Sequence, residues 1–456
     1  MHNLKYNAIP DMPTVEEGVV NAVPLDPRPA IASISSVFGL DIIFELSRDG
    51  KVLLICKMVR MFSFGILGVM LALYLTTLGY SDRQIGLLFT LTLFGDAGIS
   101  LILTTHADRY GRRKCLVLGS ALALITSIIF ITQKNFIIMI ITATLGVISP
   151  SGTEVGPFMA IELSALSQVT STSHRTKLMA WYNLGGCVSC AFGSLACGFL
   201  LQHLQREHHI ENGLLEFKIV LTVYAAVQAI LLICFSSLSA DVEVPLDDNK
   251  MKSINPVNQF LGLHNSKQII FKLSVLFMID SFAGSFVIQS LITDWFYLEF
   301  NTRPEDLGSI LFVCNLVAGV SALFAAQLAE SIGLIMTMVV THVPSNLLLI
   351  LVPLMPTQSL AIVVLCSRFC ISQMDVPTRN AYVQGVVNAD ERSAANGITN
   401  IVRSIGAATG PMLSGILLAN PQTRNYPFYI AGILKIVYDV LLLLNFKGVK
   451  STSDRK

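Results

Sequence analysis

Twelve stretches of about twenty largely apolar residues follow one another along this 456-residue chain, at about 58–79, 85–105, 115–132, 136–158, 179–201, 218–237, 269–291, 306–328, 335–355, 358–378, 397–418 and 427–446. An α-helix needs about 20 such residues to cross the hydrocarbon of a bilayer. Lipid offers no water to unpaired backbone groups, so helices are the form these runs must take there. Hydrophobic residues make up 53% of the chain and charged residues 13%, more apolar surface than a soluble fold could bury. The expected fold class is an all-α polytopic membrane protein with 12 transmembrane helices. A formal net charge of +1 gives no sign of a nucleic-acid partner.

Between the second and third runs lies the segment HADRYGRRK, His106–Lys114, with the cations Arg109, Arg112, Arg113 and Lys114. Such a loop stays out of hydrocarbon, because a single central Arg or Lys costs about 2.5–3.5 kcal/mol. Excess Lys and Arg in a short loop marks the cytoplasmic side, and every even-numbered connection should then share that side. Those connections carry His174, Arg175 and Lys177, then Lys250, Lys252 and Lys267, and finally Lys447, Lys450, Arg455 and Lys456. The opposite loops hold isolated cations such as Lys134 and Arg424. Both termini are therefore expected in the cytoplasm. The chain is expected to divide into a tail at 1–54, in which 37–46 suits either an interfacial helix or an unstructured juxtamembrane linker, a six-helix bundle at 55–237, a linker at 238–268, a second bundle at 269–446 and a tail at 447–456.

The two bundles resemble each other. Ala107, Asp108, Tyr110 and Gly111 recur in pattern as Ala329, Glu330, Ile332 and Gly333, and Gly86 meets Gly308 at the same offset. Arg175, Asn183, Gly193 and Gly198 match Arg392, Asn400, Gly410 and Gly415, again at one offset. A duplicated six-span unit, hence two pseudo-symmetric six-helix bundles, accounts for both series.

Asp108, Arg109, Gly111, Arg112 and Arg113, with the segment Asp390–Ser393 and the paired six-span plan, resemble the major facilitator superfamily of transporters. Thr104 and His106 depart from that family's loop pattern, and Ser331 stands where the second copy would carry Arg. The resemblance implies a gate in which Asp108 caps the start of the helix near Arg392, Asn396 and Gly397, with Glu330 making the matching contact near Arg175. A carboxylate at a helix N-terminus contributes about 0.3–1 kcal/mol, and up to about 2 when partly buried, enough to bias a two-state equilibrium.

Ionisable residues inside spans tend to face a cavity or each other. Asp96, Asp280 and Asp439 fall within spans, and Glu154 and Asp375 occupy Pro/Gly-interrupted segments of the fourth and tenth spans. Such interruptions at matching places in two repeats point to a central site. Arg368 and Arg403 are placed to balance these acids or to bind an anionic substrate. Lys435 and Asp439 stand one turn apart and could satisfy each other. Glu162 and Arg379 read as residues near the inner surface, and Trp181 and Trp295 as anchors in the aromatic belts.

The function expected is a secondary active transporter moving a small solute by alternating access. A non-transporting receptor or scaffold on the same fold is the alternative. No HExxH or GxSxG arrangement suggests an enzyme. No cofactor is expected, but Asp96, Glu154 or Asp280 could carry a co-transported proton. The helix that would bear a Gly-Pro pair in proton antiporters has Gly193 followed by Ser194. The partners expected are a small-molecule substrate and the lipid bilayer, with the chain a monomer.

Overall fold

The computed structural model describes residues 45–146, 148–151, 158–168, 175–208, 214–243, 266–387 and 391–447. Most of the expected interfacial helix, Glu154 and most of the expected linker lie outside them. For Asp108, Arg109, Arg175 and Arg392 only the helical backbone is described.

The described residues are helical, and eleven helical segments are long and apolar enough to cross a membrane. The first half comprises α1 (Arg48–Thr77), α2 (Asp82–Tyr110), α3 (Arg112–Thr132), α4 (Phe136–Leu145), α5 (Phe158–Gln168), α6 (Arg175–His208) and α7 (Leu214–Ser236). The second comprises α8 (Lys267–Ser285), α9 (Gln289–Phe300), α10 (Pro304–Leu323), α11 (Ala325–Ile332), α12 (Leu334–Leu351), α13 (Gln358–Ser372), α14 (Asp375–Val386), α15 (Arg392–Leu418) and α16 (Tyr426–Phe446). We call the end where α1 starts and α16 finishes the near end, and the opposite end the far end.

The fourth span, expected to be interrupted at its prolines and glycines, is divided between the ten residues of α4 and the eleven of α5. Pro150 cannot donate to a helix and its ring crowds the preceding turn, so the chain leaves helical form around it. The freed Pro150 carbonyl accepts bonds from the Ser290 hydroxyl at 2.7 Å and the Ser290 N–H at 3.3 Å. Ser290 lies in the first turn of α9, just past the break between α8 and α9, so irregular backbone in one half is satisfied by a helix N-terminus of the other. In the first span, α1 starts well before its apolar run. Its Asp49, Lys57 and Arg60 interrupt the run in sequence but are buried in the fold. The Ser47 hydroxyl caps it by accepting the Gly50 N–H at 3.2 Å.

The cores show how the halves meet. One large far-end cluster draws on both, with Leu67, Tyr74 and Phe89 from the first and Phe286, Trp295 and Phe428 from the second. Near the opposite end the cores separate. Leu53, Leu116 and Phe235 belong to a cluster made only by the first half, and Leu273, Met338 and Tyr438 to one made only by the second.

Two glycine crossings hold the far end together. A Cβ on Gly86 of α2 would lie 2.5 Å from the Pro411 carbonyl oxygen and 3.0 Å from the Gly415 Cα of α15. A Cβ on Gly308 of α10 would lie 2.6 Å from the Ser194 carbonyl oxygen and 2.9 Å from the Gly198 Cα of α6. These four glycines are the ones paired by the sequence repeat, Gly86 with Gly308 and Gly198 with Gly415. The repeat therefore marks two equivalent sites of backbone-to-backbone contact, the kind of close approach that small residues permit between membrane helices.

Candidate functional site

The buried ion pairs among the described residues gather in two groups, one in each half. In the second half, Asp280 of α8 accepts from Lys435 Nζ of α16 at 2.6 Å and from Arg379 Nη1 of α14 at 3.3 Å. The same Arg379 nitrogen reaches Asp375 at 2.9 Å. From α12, His342 Nδ1 lies 2.8 Å from Asp439 of α16, and Asn346 Nδ2 donates to the other oxygen of that carboxylate at 3.1 Å. His342 Nε2 faces Asp280 at 3.9 Å and joins the two carboxylate clusters. Charges removed from water are tolerable only when paired and hydrogen-bonded, and these groups supply one another.

The local reading of Lys435 and Asp439 as a pair on one helix is overturned. Lys435 reaches across to Asp280, and Asp439 is taken by α12. Arg379 and Glu162, expected near the inner surface, are buried in the networks. Asp280, Asp375 and Asp439 come together, while Arg368 and Arg403 flank them. Both guanidinium groups lie within electrostatic reach of Asp280 and Asp375. Arg403 Nε donates to Ser281 at 3.2 Å, and Arg368 sits over the Phe369 ring at 5.1 Å. Neither bonds a carboxylate among the described residues, and both side chains are partly exposed.

In the first half, Arg60 of α1 makes a bidentate pair with Glu162 of α5, its second bond at 2.9 Å. The Tyr182 hydroxyl of α6 donates to the same carboxylate, and Lys57 lies 4.5 Å from the Tyr182 ring centre. Sequence reasoning missed Arg60, because no local spacing links it to a residue so far along the chain. The offset that relates Arg175 to Arg392 also relates Glu162 to Arg379. The first helix of each half supplies the partner, Arg60 or Asp280. The two halves thus carry matching ion pairs with the charges interchanged.

Asp96 of α2 stands apart from both groups. It is fully buried beside Tyr224, and neither carboxylate oxygen has a hydrogen-bond partner among the described residues.

At the near end, α2 and α3 are joined by Gly111 with φ +102°, and α11 and α12 by Gly333 with φ +84°. An L side chain is strained at either position, which explains why this part of the repeated motif is glycine. Glu243, just past α7, accepts the N–H groups of Arg112 at 2.6 Å and Arg113 at 3.1 Å, capping α3. Arg112 is buried and its Nη1 donates to the Val242 carbonyl at 3.3 Å. Glu330 is exposed on α11, and a Cβ on Gly397, at the expected partner of Asp108, would meet nothing within 4 Å. Trp295, expected in an aromatic belt, is instead fully buried and donates to Asn425 at 2.9 Å.

This architecture matches known proteins. A membrane protein of Saccharomyces cerevisiae, described as uncharacterized, is 29% identical over 426 residues, covering 88% of this chain and 95% of that one. A point mutant of the nucleoside transporter NupG superposes with a TM-score of 0.69 at 13% identity, over 87% of this chain and 99% of that one. The D-xylose-proton symporter superposes with a TM-score of 0.66 at 12% identity, over 89% and 98%. Fold and family are those of a membrane transporter rather than an enzyme. With the Major Facilitator Superfamily profile matching residues 53–374 and 273–456, the chain belongs to that superfamily and is an integral, multi-pass membrane protein.

Proposed function

We propose that the chain is a secondary active transporter that moves a small anionic solute by alternating access. The observation that carries this reading is the distribution of the cores, with one cluster shared by both halves at the far end and separate clusters near the other. A pair of bundles joined at one end only is one of the two limiting shapes that alternating access requires. The Lys- and Arg-rich connections at the near end favour a cytoplasmic placement, which makes this the inward-open shape.

The charge balance of the central cluster in the second half favours an anion. Arg368, Arg379, Arg403 and Lys435 are four cations against the three carboxylates Asp280, Asp375 and Asp439. Among the described residues, Arg368 and Arg403 are the two of these cations without a carboxylate bond. A guanidinium presents a planar fork that fits a carboxylate or phosphate in bidentate fashion.

The test is uptake by proteoliposomes of a labelled library containing anionic, neutral and cationic metabolites. Accumulation of an anion, lost in both Arg368→Gln and Arg403→Gln, is the expected outcome. Uptake restricted to cations would overturn the anion assignment, and no uptake of any solute would favour a receptor or scaffold.

A further inference from the structure

We propose that Asp294 is a proton-binding site whose protonation closes the far-end contact between the two halves. This inference rests on the alternating-access reading above. Asp294 lies on α9 with 0% exposure, and neither carboxylate oxygen has a hydrogen-bond partner among the described residues. An ionised carboxylate enclosed without a donor costs several kcal/mol, whereas the neutral acid costs far less. The closed far end therefore holds Asp294 as the neutral acid. Asp280 is buried nearly as deeply but is saturated by Lys435 and Arg379, so orphaned carboxylates are not a general property of this interior.

The surroundings of Asp294 are created by closure. One turn earlier, Ser290 bonds the Pro150 carbonyl of the first half. The adjacent Thr293 hydroxyl donates to the Gly68 carbonyl of α1 at 3.3 Å. When the halves part at this end these bonds break and water reaches the α9 face, where the carboxylate can ionise.

The charged groups acting on Asp294 are Asp82, at the start of α2, and Arg424, in the turn before α16. No acid or base of α1, α10 or α15, the helices packed against α9, acts on it among the described residues. Arg424 is already engaged by the Leu298 carbonyl at 2.8 Å and by Glu299 at 3.4 Å. Enclosure without a donor is left as the dominant effect.

The sign follows from linkage. The closed state binds one more proton than the open state, so closure is favoured by acid and weakened as pH rises. One linked proton changes the closed-to-open ratio by about tenfold per pH unit once the open-state carboxylate is ionised. Asp96 is a second orphaned carboxylate, but it sits beside Tyr224 of its own half.

Trp295, next to Asp294 and fully buried, is one of the two tryptophans of the chain. In Trp181→Phe protein reconstituted in nanodiscs it is the single tryptophan, and acrylamide quenching constants, corrected for lifetime, report its access to water. The expected result is quenching that rises several-fold between about pH 5 and about pH 8. It should be low and flat when Asp294→Asn is added, and still rise when Asp306→Asn, at an exposed carboxylate in the first turn of α10, is added instead. Flat quenching in the parent, or an unchanged rise in Asp294→Asn, overturns the proposal. Because Asn has the size of the neutral acid, its thermal stability should match that of the parent at low pH. Solute uptake measured on the same preparations separates the two readings. Transport with pH-independent quenching removes the proton site alone, and pH-dependent quenching without transport of any solute removes the transporter reading.

Discussion

Replacing Gly308 with Ala tests whether far-end closure depends on backbone contact. The added methyl would lie 2.6 Å from the Ser194 carbonyl oxygen and 2.9 Å from the Gly198 Cα. Both neighbours are backbone, so no side chain can rotate away and α6 must shift relative to α10. Overpacking of this kind costs about 1–3 kcal/mol. Under the alternating-access proposal the halves separate there in the other shape, so the cost would fall almost entirely on the closed far end. It converts to a change of about 5- to 150-fold in the closed-to-open ratio. The assay is acrylamide quenching of Trp295 in Trp181→Phe protein at low pH, where closure of the parent is strongest. Gly308→Ala should raise the quenching constant, and Gly86→Ala at the pseudo-equivalent crossing should do the same. Unchanged quenching in both variants, with normal folding, would refute the claim that these glycines set closure.

Other perturbations bear on the buried charges and the near-end cap. Glu162→Gln leaves Arg60 buried without its carboxylate and should lower stability by about 3–5 kcal/mol, whereas Arg60→Met with Glu162→Gln should recover much of the loss; thermal unfolding in detergent reads both. Asp439→Asn should disturb His342 and Asn346 but leave Lys435 on Asp280, so adding Lys435→Met should destabilise the protein further, with a coupling energy between the two changes carried through His342, which thermal unfolding of the single and double variants measures. Glu243→Ala removes the cap from α3 and should cost about 0.5–2 kcal/mol, with faster backbone exchange at Arg112 and Arg113 than elsewhere in α3 as the local signature in hydrogen-exchange measurements.

The helices and the duplication were legible in the sequence because both depend on local pattern. Apolar length announces a span, and Gly86, Gly198, Gly308 and Gly415 stand out because few residue types permit backbone contact. The breaks within spans were only partly legible. Pro150 signalled the fourth, but the interruption at Phe286–Ile288 has no proline or glycine within it, and its stability comes from Ser290 bonding the other half. The candidate site was visible as a set of residue types and hidden as a set of pairs. Asp280, Asp375 and Asp439 were recognisable as acids in apolar surroundings. Their partners Lys435, Arg379 and His342 lie on other helices or, for Arg379, one turn along. For Lys435 and Asp439 the nearest charge in sequence was not the partner, because Asp280 and His342 approach from α8 and α12 with better geometry. Arg60 and Glu162 form a pair for the same reason, and only the fold brings them together.

The interchange of charge between Arg60–Glu162 and Asp280–Arg379 has an electrical consequence. The halves of a superfamily member are related by a pseudo-two-fold axis along the membrane normal. Identical ion pairs placed about such an axis have transverse dipoles that point in opposite directions and cancel. With the signs interchanged, the transverse components add. The space between the bundles is then crossed by a lateral field, undiminished by symmetry and strengthened by the low dielectric of the surroundings. A dipolar solute entering it would be turned to a preferred heading before any single contact forms, so head-to-tail isomers of equal charge would be sorted by orientation as well as by fit.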